Sequence, residues 1–174
     1  MTAAAIFGMD GTLVDSVDLH AAAWQAAMRE FGRDPPYETV RAQIGKGGDQ
    51  LLPVFFSQEE IAARGGEIEA RRGEIYRRDY LPKVRAFPRT RELFERVRAD
   101  RKRIAIASSS PSDELGRYKR LARIEDLVDV EIGKDDVERS KPSSDVFEAA
   151  LAKLGLDAAA CLAIGDTPYD AVAA

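Results

Sequence analysis

The second half of the chain alternates short apolar runs with stretches of helical periodicity, and this alternation limits the possible folds more than any other feature. The apolar runs cover 103–108, 128–132 and 161–166, and the helical patterns cover 89–99, 111–123 and 143–154. Strands that alternate with helices form βαβ units, in which helices cover both faces of a parallel sheet. We therefore expect an α/β fold with a three-layer core and a parallel sheet.

A further apolar run at 3–8 predicts a first strand, which stands apart from this alternating half. The residues between them follow helical patterns almost throughout, over a stretch too long for an ordinary crossover connection. We expect residues 1–15 and 82–174 to form the core domain and residues 16–81 to form an inserted helical cap domain. A cap of this kind closes over a site and excludes water from it.

Two signals describe the long helix expected in the second half of the cap. Ser57 and Glu60 have the spacing of a capping box, so a helix is predicted to begin there. Gly65, Gly66 and Gly73 follow within the same helix. Glycine costs about 1 kcal/mol relative to alanine in a helix interior. We therefore expect this helix to be interrupted or bent.

Charge and cysteine content exclude several functional classes. The chain has 26 basic and 30 acidic residues, a net charge of −4, whereas proteins that grip nucleic-acid phosphates need a basic face. Its single cysteine, Cys161, rules out an internal disulfide and indicates a reducing compartment. No apolar run approaches the roughly 20 residues that span a bilayer, and the N-terminus lacks the basic segment of a signal peptide. We expect a cytoplasmic protein without nucleic-acid or membrane partners, as a monomer or a weak homodimer.

Polar side chains suited to phosphate chemistry follow the predicted strands. In an open parallel sheet, ligands bind at the carboxyl ends of the strands. The candidates are Asp10, Thr12 and Asp15 after the first strand, Ser108, Ser109 and Ser110 after the next, Lys141 in a later loop, and Asp166 and Asp170 after the last. Carboxylates hold hard cations, while a lysine and hydroxyls near a helix start hold phosphoryl groups. The set predicts a phosphoryl-transfer site.

These segments resemble the four motifs of one enzyme family. The stretches are IFGMDGTLVDS, IAIASSS, SKPSSDVFEAAL and AIGDTPYDA, in this order along the chain. Together they resemble the haloacid dehalogenase-like hydrolases, in the helical-cap subgroup that includes phosphoglycolate phosphatase and beta-phosphoglucomutase. The resemblance implies a Rossmann-like core and a Mg²⁺-dependent phosphatase that acts on small phosphorylated metabolites through an aspartyl-phosphate. A phosphosugar mutase and a non-catalytic relative that binds phosphorylated ligands are the alternatives.

The resemblance also implies roles for individual residues. Asp10 matches the second aspartate of the first motif, which acts as general acid/base. Ser108 matches the hydroxyl that hydrogen-bonds the phosphoryl group in transfer, and Lys141 matches the lysine that offsets the charge of phosphoryl group and nucleophile. The family's metal ion would be held by Asp166, by Asp170 and by the backbone carbonyl of Asp10.

Gly8 departs from the family pattern. An aspartate nucleophile belongs at this position, and glycine has no side chain with which to form a phosphoaspartyl intermediate or to bind the metal. The resemblance therefore implies a chain that is inactive or strongly impaired. Three interpretations stay open: a change in an otherwise active enzyme, a natural non-catalytic relative, and an alternative nucleophile such as water or a serine among 108–110.

Four further residues are candidates for substrate contact, and three of them have a structural alternative. Thr12 lies in the loop after the first strand. His20 is a candidate contact or proton relay, the alternative being a surface or satisfied core histidine. Lys46, beside two glycines, belongs either to a specificity loop or to a plain turn. Ser109 is the fourth, and its alternative, shared with Ser110, is to cap the helix that follows.

Two other features of the cap have structural interpretations. Trp24 continues the apolar stripe of the first cap helix and is expected in its core. The basic residues between 64 and 78 are interspersed with acidic ones. This pattern is typical of a solvated helix face rather than of a nucleic-acid patch.

The last helical pattern begins near Thr167, and the sequence runs to Ala174. The resemblance implies a further strand after this helix. We therefore expect either additional residues after Ala174 or an unpaired edge of the sheet.

Overall fold

A computed structural model describes residues 2–174 and contains a central sheet of four parallel strands. The strands are β1 (Ala4–Phe7), β2 (Val14–Asp15), β3 (Arg85–Ala86), β4 (Arg103–Ala107), β5 (Val130–Ile132) and β6 (Cys161–Ile164). The central sheet has the order β5-β4-β1-β6, while β2 and β3 form a separate antiparallel ladder. The α/β class expected from the alternation of strands and helices is confirmed.

Helices cover the sheet and fill the interval between β2 and β3. They are α1 (Val17–Glu30), α2 (Tyr37–Arg41), α3 (Gly48–Leu51), α4 (Gln58–Ile75), α5 (Thr90–Ala99), α6 (Ser112–Ala122), α7 (Asp145–Leu154) and α8 (Pro168–Ala173). A π-helical segment at Tyr76–Tyr80 continues α4. Within the described range, none of the helices is both long enough and apolar enough to cross a membrane.

The central position of β1 follows from its sequence, because all its residues are apolar and buried. A strand covered on both faces has no polar side to present to water. Its last residue pairs with Ile106 of β4 on one side and with Ile164 of β6 on the other. The three parallel strands therefore end at one edge of the sheet, where the loops that begin at Gly8, Ser108 and Gly165 are neighbours.

Side chains of β1 alternate between two hydrophobic clusters, one on each face of the sheet. Phe7 packs in a cluster with Phe94 of α5 and Tyr118 of α6. Ile6 belongs to the other cluster, with Phe147 of α7. Two helical layers thus enclose the sheet, as the three-layer prediction requires.

Helices α1 to α4 lie between the strands of the small ladder, in which Val14 pairs with Ala86 and Asp15 with Arg85. This helical block has its own hydrophobic cluster, and Trp24 belongs to it as expected. The sequence did not predict the ladder, because two-residue strands show no measurable alternation. Division of the chain into core and cap domains stays a prediction, with the ladder near its expected boundary.

Helix α4 begins where the capping box predicts. Of the two alternatives for its course, an interruption is wrong and a bend stays a prediction. Ser57 Oγ accepts the N–H of Glu60 at 3.2 Å, and the Glu60 side chain accepts the N–H of Ser57 at 2.8 Å. The helix then runs unbroken to Ile75. A Cβ at Gly65 would lie 3.1 Å from Ile61 Cγ2 of the same helix and 3.9 Å from Leu52 Cδ1, so Gly65 lies in a buried position beside the preceding segment. The packing of the helix outweighs the small loss of helix propensity.

Strand β6 lies at an edge of the sheet and has β1 as its one neighbour within residues 2–174. The side chain of Leu162 in this strand is 56% exposed.

The packing of α5 on β1 yields a stability prediction. Phe94 is completely buried, and its ring centroid lies 4.9 Å from that of Phe7. We expect Phe94→Ala to lower the free energy of unfolding by about 3–5 kcal/mol, because it leaves a cavity beside β1. Leu93, the preceding residue, is 47% exposed, so Leu93→Ala is the control and should change that free energy by at most about 0.5 kcal/mol. Urea denaturation measures both, and equal losses would contradict this packing.

Candidate active site

A cavity lies where the carboxyl ends of β1, β4 and β6 meet the helical block. Its lining residues are Asp10, His20, Trp24, Ile44, Gly45, Lys46, Arg72, Ser108, Ser109, Ser110, Lys141, Asp166 and Asp170. Every predicted site residue except Gly8, Thr12 and Asp15 belongs to this set, and Asp15 lines a neighbouring cavity instead. The parallel sheet thus brings together residues that are far apart in sequence.

The Asp10 carboxylate is largely buried and accepts three hydrogen bonds. Ser16 Oγ and His20 Nε2 lie 2.6 Å and 2.9 Å from its Oδ1, and Ser110 Oγ lies 2.7 Å from its Oδ2. Burial alone raises the pKa of Asp10, but the charge of His20 and the hydrogen bonds from all three partners outweigh burial and hold the pKa well below its usual range. Asp10 is therefore ionised at neutral pH, and its contribution to stability is lost only as the pH falls through this lowered value.

His20 is buried, so the surface interpretation of this histidine is wrong. Its ring stacks on that of Tyr76, with centroids 4.0 Å apart and an interplanar angle of 11°. The Tyr118 hydroxyl lies 3.2 Å from the same Nε2 that contacts Asp10, and the hydroxyls of Tyr118 and Tyr76 are hydrogen-bonded to each other. Burial raises the pKa of both tyrosines, which keeps them protonated. His20 is thus a hydrogen-bonded group in the cavity wall.

Lys141 and Asp170 form a buried ion pair. The Lys141 ammonium donates to Asp170 Oδ1 at 2.7 Å and to the Ala107 carbonyl at 3.3 Å. The other oxygen of Asp170 accepts the N–H and the hydroxyl of Thr167, at 3.1 Å and 2.5 Å. Burial raises the pKa of Asp170. The charge of Lys141 and these hydrogen bonds lower it by more, so the pKa lies below its usual range. The pair fixes the ammonium at the end of β4.

Asp166 is less constrained than Asp170. Its Oδ1 accepts the Thr12 hydroxyl at 3.1 Å, which places Thr12 beside the cavity. Partial burial raises the pKa of Asp166, and the negative charge of Asp170 raises it further. This carboxylate therefore lies beside a second negative charge with one neutral donor as its partner.

Gly8 follows the last residue of β1 and lies next to Thr12 and Asp170. Its N–H donates to the Ile164 carbonyl at 2.8 Å. A Cβ built on it would lie 3.1 Å from Thr12 Oγ1 and 3.5 Å from Asp170 Oδ1. The backbone there is not in the left-handed region that favours glycine. A side chain at position 8 would therefore enter the polar cluster after a shift of a few tenths of an ångström by Thr12.

The three serines after β4 have different partners. Ser108 Oγ accepts the N–H of Ser110 at 3.1 Å, and the Ser110 hydroxyl donates to Asp10. The Ser109 hydroxyl donates to a backbone carbonyl of the helical block at 3.4 Å. Pro111 precedes α6, and the N–H of its first residue, Ser112, donates to Asp135 Oδ2 at 2.9 Å rather than to a serine. The interpretation of Ser109 and Ser110 as caps is therefore wrong.

Lys46 lies in the cavity wall that the helical block contributes. Its ammonium donates to Gln43 Oε1 at 2.6 Å and lies 4.9 Å from the centroid of the Tyr169 ring. The Tyr169 hydroxyl donates in turn to the Ala42 carbonyl at 2.6 Å. This position fits the specificity-loop interpretation of Lys46, which stays a prediction.

Gly47 lets the helical block approach the loop that carries Lys141. A Cβ at Gly47 would overlap the side chain of Ser140, so a larger residue needs that side chain or its loop to move. Asp49 Oδ2 accepts the N–H of Ser140 at 3.0 Å. These contacts tie the block to the residue that precedes Lys141.

Arg72 and Glu114 are parts of the site region that the sequence analysis missed. The stretch 64–78 is expected on a solvated face, yet the Arg72 side chain is 15% exposed and lines the cavity. Arg72 shares one helical face with Ile68 and Tyr76, at a spacing of four residues, and both of these are buried. That spacing was the signal that could have identified it.

The donors available for a metal ion are oxygen atoms. Throughout residues 2–174, no group of three or more histidine, cysteine, aspartate or glutamate side chains is arranged to hold a metal. The expected ligands that remain are the carboxylates of Asp166 and Asp170 and the backbone carbonyl of Asp10. Mg²⁺ prefers oxygen, and commonly takes one or two carboxylates and several waters. The donors present fit such a shell, because a cation would also offset the repulsion between Asp166 and Asp170.

Comparison of the sequence with known proteins points to one family. A sequence model described as "Haloacid dehalogenase-like hydrolase" matches residues 5–174. A "Phosphorylated carbohydrates phosphatase" of Thermotoga maritima is 29% identical over 154 residues, which cover 88% of this chain and 71% of the relative. A phosphoglycolate phosphatase of Yersinia pestis is 30% identical over 175 residues, covering 97% of this chain and 74% of the relative.

The fold also resembles solved structures. The crystal structure of a hydrolase from Pseudomonas syringae superposes with a TM-score of 0.89 at 27% identity, over 99% of this chain and 79% of that one. A haloacid dehalogenase-like structure from Bacteroides fragilis also superposes at 0.89, with 20% identity, over 99% of this chain and 82% of that one. The second likeness concerns the fold alone.

The hydrogen bond from Ser110 to Asp10 can be tested directly. We expect Ser110→Ala to raise the pKa of Asp10, because it removes one of the donors that favour the ionised carboxylate. Ser109→Ala is the matched control, since the Ser109 hydroxyl donates elsewhere. Carbon-13 NMR of the Asp10 carboxyl during an acid titration measures both, and a larger effect of Ser109→Ala would refute the assignment.

Proposed function

Because this chain belongs to the haloacid dehalogenase-like hydrolase family, we propose that it is a Mg²⁺-dependent phosphatase of small phosphorylated metabolites whose covalent step is blocked by Gly8. The relatives named for phosphorylated carbohydrates and for phosphoglycolate support this substrate class. One observation carries the proposal: a Cβ at residue 8 would lie beside Asp170 Oδ1 and Thr12 Oγ1, which are hydrogen-bonded in turn to Lys141 and Asp166.

In this proposal Lys141 and Ser108 hold the phosphoryl group. The Lys141 ammonium, kept at the end of β4 by Asp170 and the Ala107 carbonyl, attracts the phosphoryl oxygens. Ser108 Oγ accepts a backbone N–H, so its own hydrogen remains available for donation to a phosphoryl oxygen. The helical block covers this end and limits the entry of water.

Asp10 is the proposed general acid/base. A group that protonates the leaving oxygen must first hold a proton, and the three donors around Asp10 favour its ionised form. In the resting site its carboxylate is therefore set to accept a proton, which is the base half of the role. His20 and Ser16 hold Oδ1 in place, while Ser110 is bound to Oδ2.

Mg²⁺ is the proposed cofactor, with Asp166, Asp170 and the backbone carbonyl of Asp10 as its protein ligands. When bound, the ion neutralises negative charge on the phosphoryl oxygens and on these carboxylates. Gly8 offers no carboxylate to this shell, so fewer protein ligands are present than in a site with aspartate at position 8.

Gly8 also favours a second candidate function, the binding of phosphorylated ligands without turnover. No bond to phosphorus can form at a residue that has no side chain. Lys141 and Ser108 are nevertheless in place to attract an anion. The same set of variants separates this candidate from an impaired enzyme.

We expect Gly8→Asp to give measurable turnover of phosphomonoesters, whereas the chain as it stands gives none. In that background Lys141→Ala should lower kcat/KM about a hundredfold, on the order of 3 kcal/mol, because the ammonium offsets charge in the transition state. Asp10→Asn should lower it roughly 10²–10⁴-fold. Steady-state kinetics on phosphorylated sugars and phosphoglycolate measure these effects.

Two controls accompany this experiment. Gly66→Asp introduces the same residue where a Cβ meets nothing within 4 Å, and it should give no turnover. Lys153→Ala removes a lysine whose side chain is 52% exposed, and it should leave the rate of the Gly8→Asp chain unchanged. Inactivity of Gly8→Asp toward the whole panel, with phosphate still bound, would favour the non-catalytic candidate.

The metal site gives a separate prediction. We expect the chain to bind Mg²⁺ weakly through Asp166 and Asp170, and Gly8→Asp to strengthen that binding by adding a carboxylate. Asp166→Asn in the Gly8→Asp chain should weaken it again. Isothermal titration calorimetry measures the three affinities, and equal values with and without Gly8→Asp would contradict this ligand set.

A further inference from the structure

Arg72 is a charged side chain with unused hydrogen-bond donors in the wall of the cavity. It projects from α4 of the helical block, and its guanidinium donates no hydrogen bond within the part of the chain that the structure describes. The guanidinium lies 5.0 Å from the ring of Trp24 and 5.9 Å from that of Tyr76. The two rings therefore lie beside the guanidinium, and neither accepts a hydrogen bond from it in place of a ligand.

Glu114 of α6 is the charge that accompanies Arg72. Its side chain is 1% exposed, and neither carboxylate oxygen has a hydrogen-bond partner. Its Oε1 lies 3.6 Å from Arg72 Nη1, which is too far for a hydrogen bond. Glu114 does not line the cavity. It therefore attracts Arg72 from behind without occupying the donors that a ligand would use.

A buried ion pair of this kind lowers the stability of the fold, so it points to a function other than stabilisation. Taking two charges out of water costs several kcal/mol per ion, and a well-packed apolar pair is often as stable or more so. Here the carboxylate keeps unfilled acceptors and the guanidinium keeps unfilled donors. A ligand that accepts hydrogen bonds from the guanidinium would offset this loss of stability.

We infer that Arg72, positioned by Glu114, binds an anionic group of the substrate other than the phosphoryl group that reacts. The inference rests on the proposed function, which assigns the reacting phosphoryl group to Lys141 and Ser108 at the strand ends. The substrate is then a phosphomonoester that carries a second anionic group, either a carboxylate or another phosphate.

The chemistry of the guanidinium selects this class of group. Its planar set of five donors matches the two oxygens of a carboxylate or phosphate, and hydrogen bonds between charged partners are about twice as strong as neutral ones. Lys46 adds a second positive charge to the same cavity wall. A neutral hydroxyl would use one donor and leave both charges unbalanced.

The test compares ligands that differ only in the second group. The first pair is phosphoglycolate and its carboxamide, and the second is propane-1,3-diol bisphosphate and 3-hydroxypropyl phosphate. Calorimetry with the chain as it stands should show the charged member of at least one pair binding about tenfold tighter or more. The pair with the larger ratio identifies the second group as carboxylate or phosphate.

Variants then assign this preference to Arg72. Arg72→Met should reduce the ratio to about one and leave the Kd of inorganic phosphate unchanged. Glu114→Gln should reduce the ratio partly, because the guanidinium keeps its charge but loses its anchor. Arg64 lies on the same helix, over the ring of Phe31 at 4.5 Å and outside the cavity, so Arg64→Met is the matched control and should change neither quantity.

In the Gly8→Asp chain, Arg72→Met should raise KM for the charged substrate much more than it lowers kcat. A purely structural ion pair would alter all ligands alike and would not produce this split. Arg72→Lys keeps the charge but lacks the planar donors of the guanidinium, so it should give an intermediate ratio of the two affinities. This variant replaces Arg72→Met if that one fails to fold.

The outcomes separate the inference from the proposed function. Two results overturn the role of Arg72 and leave the phosphatase proposal standing. In the first, the unmodified chain binds phosphate but binds the charged and neutral members of each pair equally. In the second, its preference for the charged member persists in Arg72→Met. Absence of phosphate binding together with an inactive Gly8→Asp chain overturns the phosphatase proposal. A chain that binds none of these ligands overturns both.

Discussion

The buried carboxylate of Asp10 is the interaction on which the rest of the site depends. It follows the central strand directly, and its donors come from the start of α1 and from the loop after β4. A carboxylate in this position without partners would be strongly destabilising. Ser16, His20 and Ser110 must therefore be held in place together. The charge of Asp10 thus ties the start of α1 to the loop after β4.

The fold and most of the cavity lining could be predicted because both follow from local patterns. Alternating strands and helices imply a parallel sheet, and a parallel sheet brings the carboxyl ends of its strands to one edge. Ser108 and Asp166, for example, lie far from Asp10 in sequence, yet each ends a predicted strand and each lines the cavity. No knowledge of side-chain packing is needed for that inference. The resemblance of the four motifs to one family then assigned roles to residues that the sheet topology had already brought together.

The features that were missed depend on tertiary contacts. The uninterrupted course of α4 past Gly65 reflects packing against neighbouring residues, which propensity does not contain. Arg72 is expected on a solvated surface because its sequence neighbours are charged, whereas its environment is set by Trp24 and by Glu114, more than 40 positions away. A contact between residues so far apart in sequence leaves no mark on the hydrophobic periodicity of either segment. Ser110 was a candidate from the sequence, but its hydrogen bond to Asp10 was not predicted for the same reason, since Asp10 follows a different strand.

The charge distribution of the site explains how glycine at position 8 is compatible with an intact fold. Lys141 already neutralises Asp170, and Asp166 lies next to them with one neutral donor. An aspartate at position 8 would add a third carboxylate, with its Cβ only 3.5 Å from Asp170 Oδ1. At such separations like charges repel strongly, and a cation is needed to offset them. Gly8 therefore removes a source of repulsion along with the nucleophile. The groups that would bind a phosphorylated ligand keep their positions because none of them uses residue 8 as a partner.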